Sequence, residues 1–415
     1  MTGDRKPKFF YGYIIVLAAF FIMLISHGSM VSFGVFFKRL LFEFDWSRTT
    51  ISGAASVNFL LMGFLGIIAG GLTDRFGPRI VLTICGFFFG LGCLLMSQVN
   101  TIWQLYLFYG VIVGISIGAV DVPLLSTIAR WFVRKRGVMS GIAKAGSGTG
   151  ILIMPIVSSM LISTYGWRTA YIVIGITGLV IIISAAQFLR HDPVQMEQLP
   201  NGEEKPNAVS FNSADGGFSL REAIHLRQFW VICAIYFLVL FCVNTILVHI
   251  APHAEDLGIS VTNAASIISI IGGASIVGRI MMGSAGDRIG NRLALIICFI
   301  ILVTALFWLR LADELWMLYL FAVIYGVAHG GFLALISPTV AGLFGTSSHG
   351  VLLGIVFFSG TIGGAIGPIL AGYIFDTASS YQLAFLICAA MSVTGTILAS
   401  LLRPTGSQGR LSTGS

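Results

Sequence analysis

Charge is scarce in this chain. Only 10% of its 415 residues are Asp, Glu, Lys or Arg, against about 25% in ordinary soluble domains. A water-soluble protein of this length would need far more polar surface to stay dissolved. Cysteine is scarce as well. The six, Cys85, Cys93, Cys233, Cys242, Cys298 and Cys388, all sit inside apolar runs, with no CxxC pair and no His/Cys metal spacing. They read as small packing residues rather than a disulfide framework or a metal site. There is no Walker motif and no HExxH. These absences exclude a soluble enzyme, a secreted disulfide scaffold, a disordered chain and a nucleic-acid binder. No cofactor or metal is expected.

What the chain has is apolar length. Hydrophobic residues make up 56% and mean hydropathy is +0.94. Its 50 glycines fit transmembrane helices, where glycine is common. A span needs about 20 apolar residues. Runs of that length, separated by charges, turns or proline, number twelve: 10–36, 50–72, 79–98, 102–127, 137–163, 168–189, 228–251, 261–285, 293–311, 314–340, 349–373 and 381–402. The first run lacks a small-residue cleavage site and is long enough to span, so no cleavable leader is evident. Residues 190–227 hold Pro193, Pro200, Pro206, Glu203-Glu204-Lys205 and Gly216-Gly217, the composition of a linker. The expected organisation is all-α: a six-helix bundle over 1–189, a linker over 190–227, a second bundle over 228–402 and a tail over 403–415.

Orientation follows from Lys and Arg. With the N-terminus in the cytoplasm, seventeen fall on the cytoplasmic side and five on the other, leaving Lys144 and Arg279 within spans. By the positive-inside rule both termini and the linker are cytoplasmic.

An internal repeat relates the halves. Gly70-Gly71-Leu72-Thr73-Asp74-Arg75-Phe76-Gly77-Pro78-Arg79 recurs as Gly283-Ser284-Ala285-Gly286-Asp287-Arg288-Ile289-Gly290-Asn291-Arg292, an offset of 213. The same offset links Trp103-x-Leu105-Tyr106-Leu107-Phe108 to Trp316-x-Leu318-Tyr319-Leu320-Phe321. It also links Gly137-Val138-x-x-Gly141 to Gly350-Val351-x-x-Gly354, and Pro155 to Pro368. The halves are therefore parallel repeats about an axis normal to the membrane.

Two copies of G-x-x-x-D-R-x-G-x-R resemble the signature of the major facilitator superfamily. Three further features resemble its monocarboxylate transporters and their oxalate/formate-type bacterial relatives. One is Tyr11-Gly12-Tyr13-Ile14-Ile15-Val16 leading to Val35-Phe36-Phe37-Lys38. The second is Arg130-Trp131-Phe132-Val133-Arg134-Lys135-Arg136-Gly137 running into Gly141-x-Ala143-x-Ala145-Gly146-Ser147-x-x-Gly150. The third is a lone arginine in span eight, Arg279. The resemblance implies the major facilitator fold and alternating-access transport. It also implies a bacterial inner-membrane protein that works as a monomer, most similar to proton/L-lactate symporters.

Candidate residues follow from charge in the hydrocarbon, where a central charge costs about 2.5 kcal/mol or more. Arg279 has no acid nearby in sequence and Gly272, Ser275 and Gly278 flank it. It either snorkels toward Asp287 or binds a substrate carboxylate with its planar guanidinium. Asp121 and Lys144 lie at equal depth on spans four and five, so an ion pair is expected, structural or otherwise. Histidine exchanges protons near neutral pH, which makes His27, His249 and His329 proton candidates. His249 leads, because span seven also carries Asn244 and Thr245 and the first helix of each half lines the path in this superfamily. Asn244, Tyr325, Asn58 and Phe332 are weaker cavity candidates, and Phe357 and Phe358 read as packing. The acids Asp74 and Asp287 are expected to pair with Arg75, Arg79, Arg288 and Arg292 across the loops of their own bundle, setting the balance of two states.

Two departures from the resembled pattern stand out. Val31 occupies the place of a lysine of vertebrate members, and Ser275 that of an aspartate one turn before the arginine. The lysine-to-aspartate proton route of those members is thus absent. The leading reading is a carrier of L-lactate or pyruvate with a proton. The alternatives are an oxalate/formate-type exchanger, disfavoured because Val351 to Tyr373 contains no Lys or Arg, and a drug or solute efflux carrier.

Overall fold

Inside a bilayer every backbone N–H and C=O must find a partner within its own segment, so a long apolar run can only become a helix. The computed structural model of the chain describes residues 10–46, 48–196, 217–378 and 380–403, so most of the linker and tail lie outside the described residues. Twelve helices are long and apolar enough to cross a membrane, and the described residues contain no strand. In chain order they are α1 (Gly12–Phe44), α2 (Arg48–Phe76), α3 (Pro78–Met96), α4 (Ile102–Trp131), α5 (Arg136–Tyr165), α6 (Trp167–Gln187), α7 (Arg227–Asp256), α8 (Val261–Ile289), α9 (Asn291–Leu309), α10 (Leu315–Phe344), α11 (His349–Ala378) and α12 (Gln382–Leu401). Several outrun the apolar runs of the sequence, since a helix keeps its internal hydrogen bonds after it has left the hydrocarbon. α4 is composite. Tyr106–Val113 is π-helical and the helix breaks at Ala119 and Val120 before Asp121–Trp131.

The packing repeats with the sequence offset. α1 lies on α5 as α7 lies on α11, α2 on α4 as α8 on α10, and α3 on α6 as α9 on α12. The halves meet most extensively at two crossings, α5 with α8 and α2 with α11, and α10 also touches α5 and α4. The repeated motifs build both crossings. A Cβ at Gly70 would strike the backbone of Gly350, and one at Gly283 the backbone of Gly137. Glycine at both places lets the backbones touch.

At these crossings each acid caps a helix of the other half. Asp287 accepts from the amides of Gly137 (2.6 Å) and Val138 (2.8 Å) at the start of α5. Asp74 accepts from Gly350 (3.3 Å) and Val351 (3.2 Å) at the start of α11, and from Arg130 Nη2 (3.0 Å). A carboxylate there satisfies orphan amides and meets the positive end of the helix dipole. Beside the Asp74 cap lies His191, whose ring meets Gly77. Burial, and then the Arg130 charge, push its pKa down to about 4, so it adds no cation at neutral pH.

The loop arginines do something else, which corrects the expectation from sequence. Arg79 Nε donates to Gln187 Oε1 (2.8 Å), tying α3 to α6. Its repeat partner Arg292 donates to the Ser400 carbonyl, tying α9 to α12. Arg75 lies over the Phe76 ring, 5.1 Å from its centroid, and Arg288 is exposed. Gly77 (φ 82°) and Gly290 (φ 89°) turn the chain sharply after each helix, so Arg79 and Arg292 leave with the next helix while the acids stay on the face toward the other half. Among the described residues, the arginine that forms an ion pair with an acid of the turns is Arg130, on Asp74.

The two caps tie the halves together at the turn end of the molecule. An Asp gives each cap two acceptor oxygens and a charge, and the helix-terminal charge alone is worth about 0.3 to 2 kcal/mol. Asp74→Asn and Asp287→Asn should each raise thiol labelling of single cysteines introduced at the turn-end interface, and the double variant should raise it further. Transport should lose turnover rate more than substrate affinity. Unchanged labelling in both single variants would refute the capping role.

Candidate functional site

Going inward from the caps, the α5–α8 crossing continues past Gly141, where a Cβ would strike the Arg279 carbonyl, to Gly148, where one would strike Arg279 Nη1. This glycine stripe lets the guanidinium lie between the halves. Arg279 is 2% exposed and donates from Nη1 to the Lys144 carbonyl (2.9 Å). Its Nε is buried with no hydrogen-bond partner. Among the described residues it forms no ion pair.

Lys144 shares the same crossing. Its Nζ lies 2.8 Å from Asp121 Oδ2 and 5.4 Å from the centroid of the Phe357 ring on α11. Phe357 thus does more than pack, because an ammonium over a ring face gains about 0.5–2 kcal/mol. His27 on α1 reaches the same carboxylate oxygen, Nε2 to Oδ2 at 3.4 Å. His329 on α10 is within electrostatic range of both Arg279 and Lys144. Counted along the helices at about 1.5 Å per residue, these groups lie about 12–22 Å from the turn end, the middle of the membrane.

The cluster therefore holds one acid, Asp121, against two cations, Lys144 and Arg279. Four of its buried polar atoms lack a hydrogen-bond partner: Arg279 Nε, Asp121 Oδ1, His27 Nδ1 and His329 Nδ1. Buried polar atoms are normally paired, so these four leave unused hydrogen-bonding capacity at one crossing between the halves. The arrangement can hold an anion and can move a proton. Arg279 does not snorkel: its guanidinium stays at the Lys144 level.

Other sequence candidates lie elsewhere. His249 is committed at both ring nitrogens, to the Pro368 carbonyl (2.9 Å) and the Tyr381 hydroxyl (3.3 Å). It braces α7 against α11 and the start of α12, and the structure does not bring it to Arg279. Asn244 donates to the Gly364 carbonyl (3.2 Å) and Tyr325 to the Val243 carbonyl (3.0 Å). Phe332 is fully buried against Phe299, with ring centroids 4.7 Å apart. These three pack the second half. Asn58 donates to the Tyr109 carbonyl (2.9 Å) within the π-helical segment of α4, which satisfies a group that the irregular helix leaves free. Ser275 turns its hydroxyl back to the Gly272 carbonyl (2.7 Å), and Val31 is 41% exposed. Gly114-Ile115-Ser116-Ile117-Gly118 spells the G-x-S-x-G of a nucleophile elbow, but it lies within α4 with Ser116 buried, not on the strand-to-helix turn that chemistry needs. Sequence reasoning ranked His329 below His249, read Phe357 as packing and did not single out Gly148, yet all three meet at this cluster. The signal for Phe357 was present, since it stands at the repeat position of Lys144.

Comparisons with known proteins place the chain in a family and a fold. The Major Facilitator Superfamily profile matches residues 19–281 and 232–413. Monocarboxylate transporter 13 of Rattus norvegicus is 27% identical over 393 residues, covering 94% of this chain and 89% of that protein. Monocarboxylate transporter 12 of Xenopus laevis is 25% identical over 427 residues, covering 97% and 92%. Among solved structures, the proton:xylose symporter XylE superposes with a TM-score of 0.72 at 15% identity, covering 94% of this chain and 96% of that one. The transporter FucP in the outward conformation superposes with a TM-score of 0.73 at 13% identity, covering 94% and 98%. The chain is a transporter related to the monocarboxylate transporters, and it belongs to the Major Facilitator Superfamily.

Proposed function

We propose that the protein carries a small monocarboxylate, L-lactate or pyruvate, together with a proton, and that Arg279 binds the carboxylate. The observation that carries this reading is the charge of the central cluster. Asp121 neutralises one of two cations, so Lys144 and Arg279 leave one positive charge buried in hydrocarbon. A monoanion brings the sum to zero, and a dianion would leave an uncompensated negative charge there. That disfavours an oxalate-type exchanger. An efflux carrier of neutral drugs would gain nothing from the charge.

Alternating access completes the reading. The seventeen-to-five distribution of Lys and Arg supports a cytoplasmic turn end, so the Asp74 and Asp287 caps would close the cytoplasmic side and the site would load from outside. Movement of a proton with the anion returns the cluster to its empty-state charge, so that a full cycle of loaded and empty crossings moves no net charge across the membrane. The site is complete within one chain, which supports a working monomer. The relatives compared above are vertebrate proteins and lend no support to a bacterial inner membrane.

Uptake of labelled lactate, pyruvate, acetate, formate and oxalate into proteoliposomes, with and without an inward proton gradient, tests the assignment. Monocarboxylates should enter saturably and faster with the gradient, and oxalate should compete poorly. Arg279→Ala and Arg279→Lys should each weaken lactate binding by about 10- to 100-fold, the worth of a hydrogen bond to a charged group. Lysine fails because it offers a point charge and no fork. Normal lactate uptake by a monodisperse Arg279→Ala protein would sink the proposal. Gly148→Ala, whose added methyl would displace Arg279 Nη1, should also weaken binding, and unchanged affinity there would count against the guanidinium position.

A further inference from the structure

We propose that Asp121 carries the symported proton and that His27 delivers it, an assignment that rests on the carboxylate-binding reading above. Asp121 Oδ2 takes both contacts, Lys144 Nζ at 2.8 Å and His27 Nε2 at 3.4 Å, while Oδ1 is buried without a partner. An orphaned buried oxygen costs stability, so Oδ1 is a group that holding α4 on α5 leaves unused. The imidazole is likewise half used. Its Nε2 faces the carboxylate and its Nδ1 has no partner. The Asp121 and His27 side chains keep 18% and 14% of their surface open, against 3% for Lys144.

The charged and titratable groups facing Asp121 are Lys144 from α5, His27 from α1 and Arg279 from α8. His329 from α10 faces the two cations, and α11 contributes the uncharged Phe357 ring to Lys144. His27 alone among the histidines touches the acid.

The coupling follows from charge. In the empty site Asp121 is ionised and holds Lys144. A carboxylate arriving at Arg279 competes for the Lys144 ammonium and sets a second negative charge beside Asp121, and like charges at one site favour proton uptake. The proton arrives on His27 Nδ1. The Nε2–H proton passes to Asp121 Oδ2, forming an O–H bond and leaving a neutral imidazole protonated at Nδ1. On release each transfer reverses: Asp121 returns its proton to Nε2 and the Nδ1 proton departs. Lys144, freed from Asp121, joins Arg279 on the substrate. The single excess positive charge is the same in empty and loaded carriers.

The test is proteoliposomes holding an internal pH dye, with labelled lactate flux and proton entry measured together. The parental protein should move one proton per lactate. Asp121→Asn should still exchange labelled for unlabelled lactate, at reduced rate, with proton entry lost and with an apparent lactate affinity that no longer depends on external pH. Asp121→Glu should keep coupling, and His27→Gln should slow proton entry more than exchange. Proton entry per lactate unchanged in Asp121→Asn would overturn this assignment alone. Loss of both exchange and coupling in Asp121→Asn and Asp121→Glu alike would also overturn it, because Asp121 would then be a support for Lys144. A parental protein that exchanges no monocarboxylate would overturn the functional reading as well.

Discussion

A guanidinium cannot lie in hydrocarbon without compensation, and the architecture around Arg279 supplies only part of it. One acid serves two cations. The Lys144 carbonyl and the Phe357 ring take up what hydrogen bonding and polarisation they can, and four polar atoms are left over. A cluster in that condition is costly, and it sits where two halves meet rather than inside either bundle. On the proposed reading, the missing partner is the transported anion, which binds between the halves and is released as they move.

The site and the caps are joined by the same two helices. On α5, the Gly137 and Val138 amides donate to Asp287 and Lys144 lies two turns further in; on α8, Asp287 makes the cap and Arg279 lies two turns further in. A ligand that draws Lys144 and Arg279 together, or loosens Lys144 from Asp121, therefore acts on the rigid helices that carry the cap. The pseudo-equivalent crossing has no such chemistry. By the 213-residue repeat, Lys144 corresponds to Phe357 and Arg279 to Gly66. The two repeats thus carry the charges at one crossing and an aromatic face at the other. The two meet where the Phe357 ring contacts Lys144.

Much of the fold was legible in the sequence because its determinants are local or repeated. Apolar runs specify helices, and the repeat specifies which helices correspond. The glycines Gly70, Gly137, Gly283 and Gly350 could be seen as repeats, but not that they touch across the halves in pairs. Rotation about the helix axis was the hard part. α10 and α11 are hydrophobic all round, so no stripe tells which side faces the partner half. For that reason Tyr325 and Phe332 were assigned to a cavity while they pack internally, and Phe357 was assigned to packing while it meets a charge. The arginines of the turns were misplaced for a different reason. Gly77 and Gly290 reverse the chain between Asp and the second Arg, and proximity in sequence then says little about proximity in space. Arg279 was legible because a charge among apolar residues needs a reason wherever it points.

The account stands on a carboxylate bound between the halves at Arg279. A structure of the protein with a bromine-labelled short-chain monocarboxylate, located by anomalous scattering, tests that directly. The account predicts bromine density in the cleft at the level of Lys144 and Phe357, with the carboxylate within hydrogen-bond distance of the guanidinium and Lys144 turned from Asp121 toward it. Density confined to the interior of one bundle or to the His249–Tyr381 end, with Arg279 still bonded only to the Lys144 carbonyl, would contradict it.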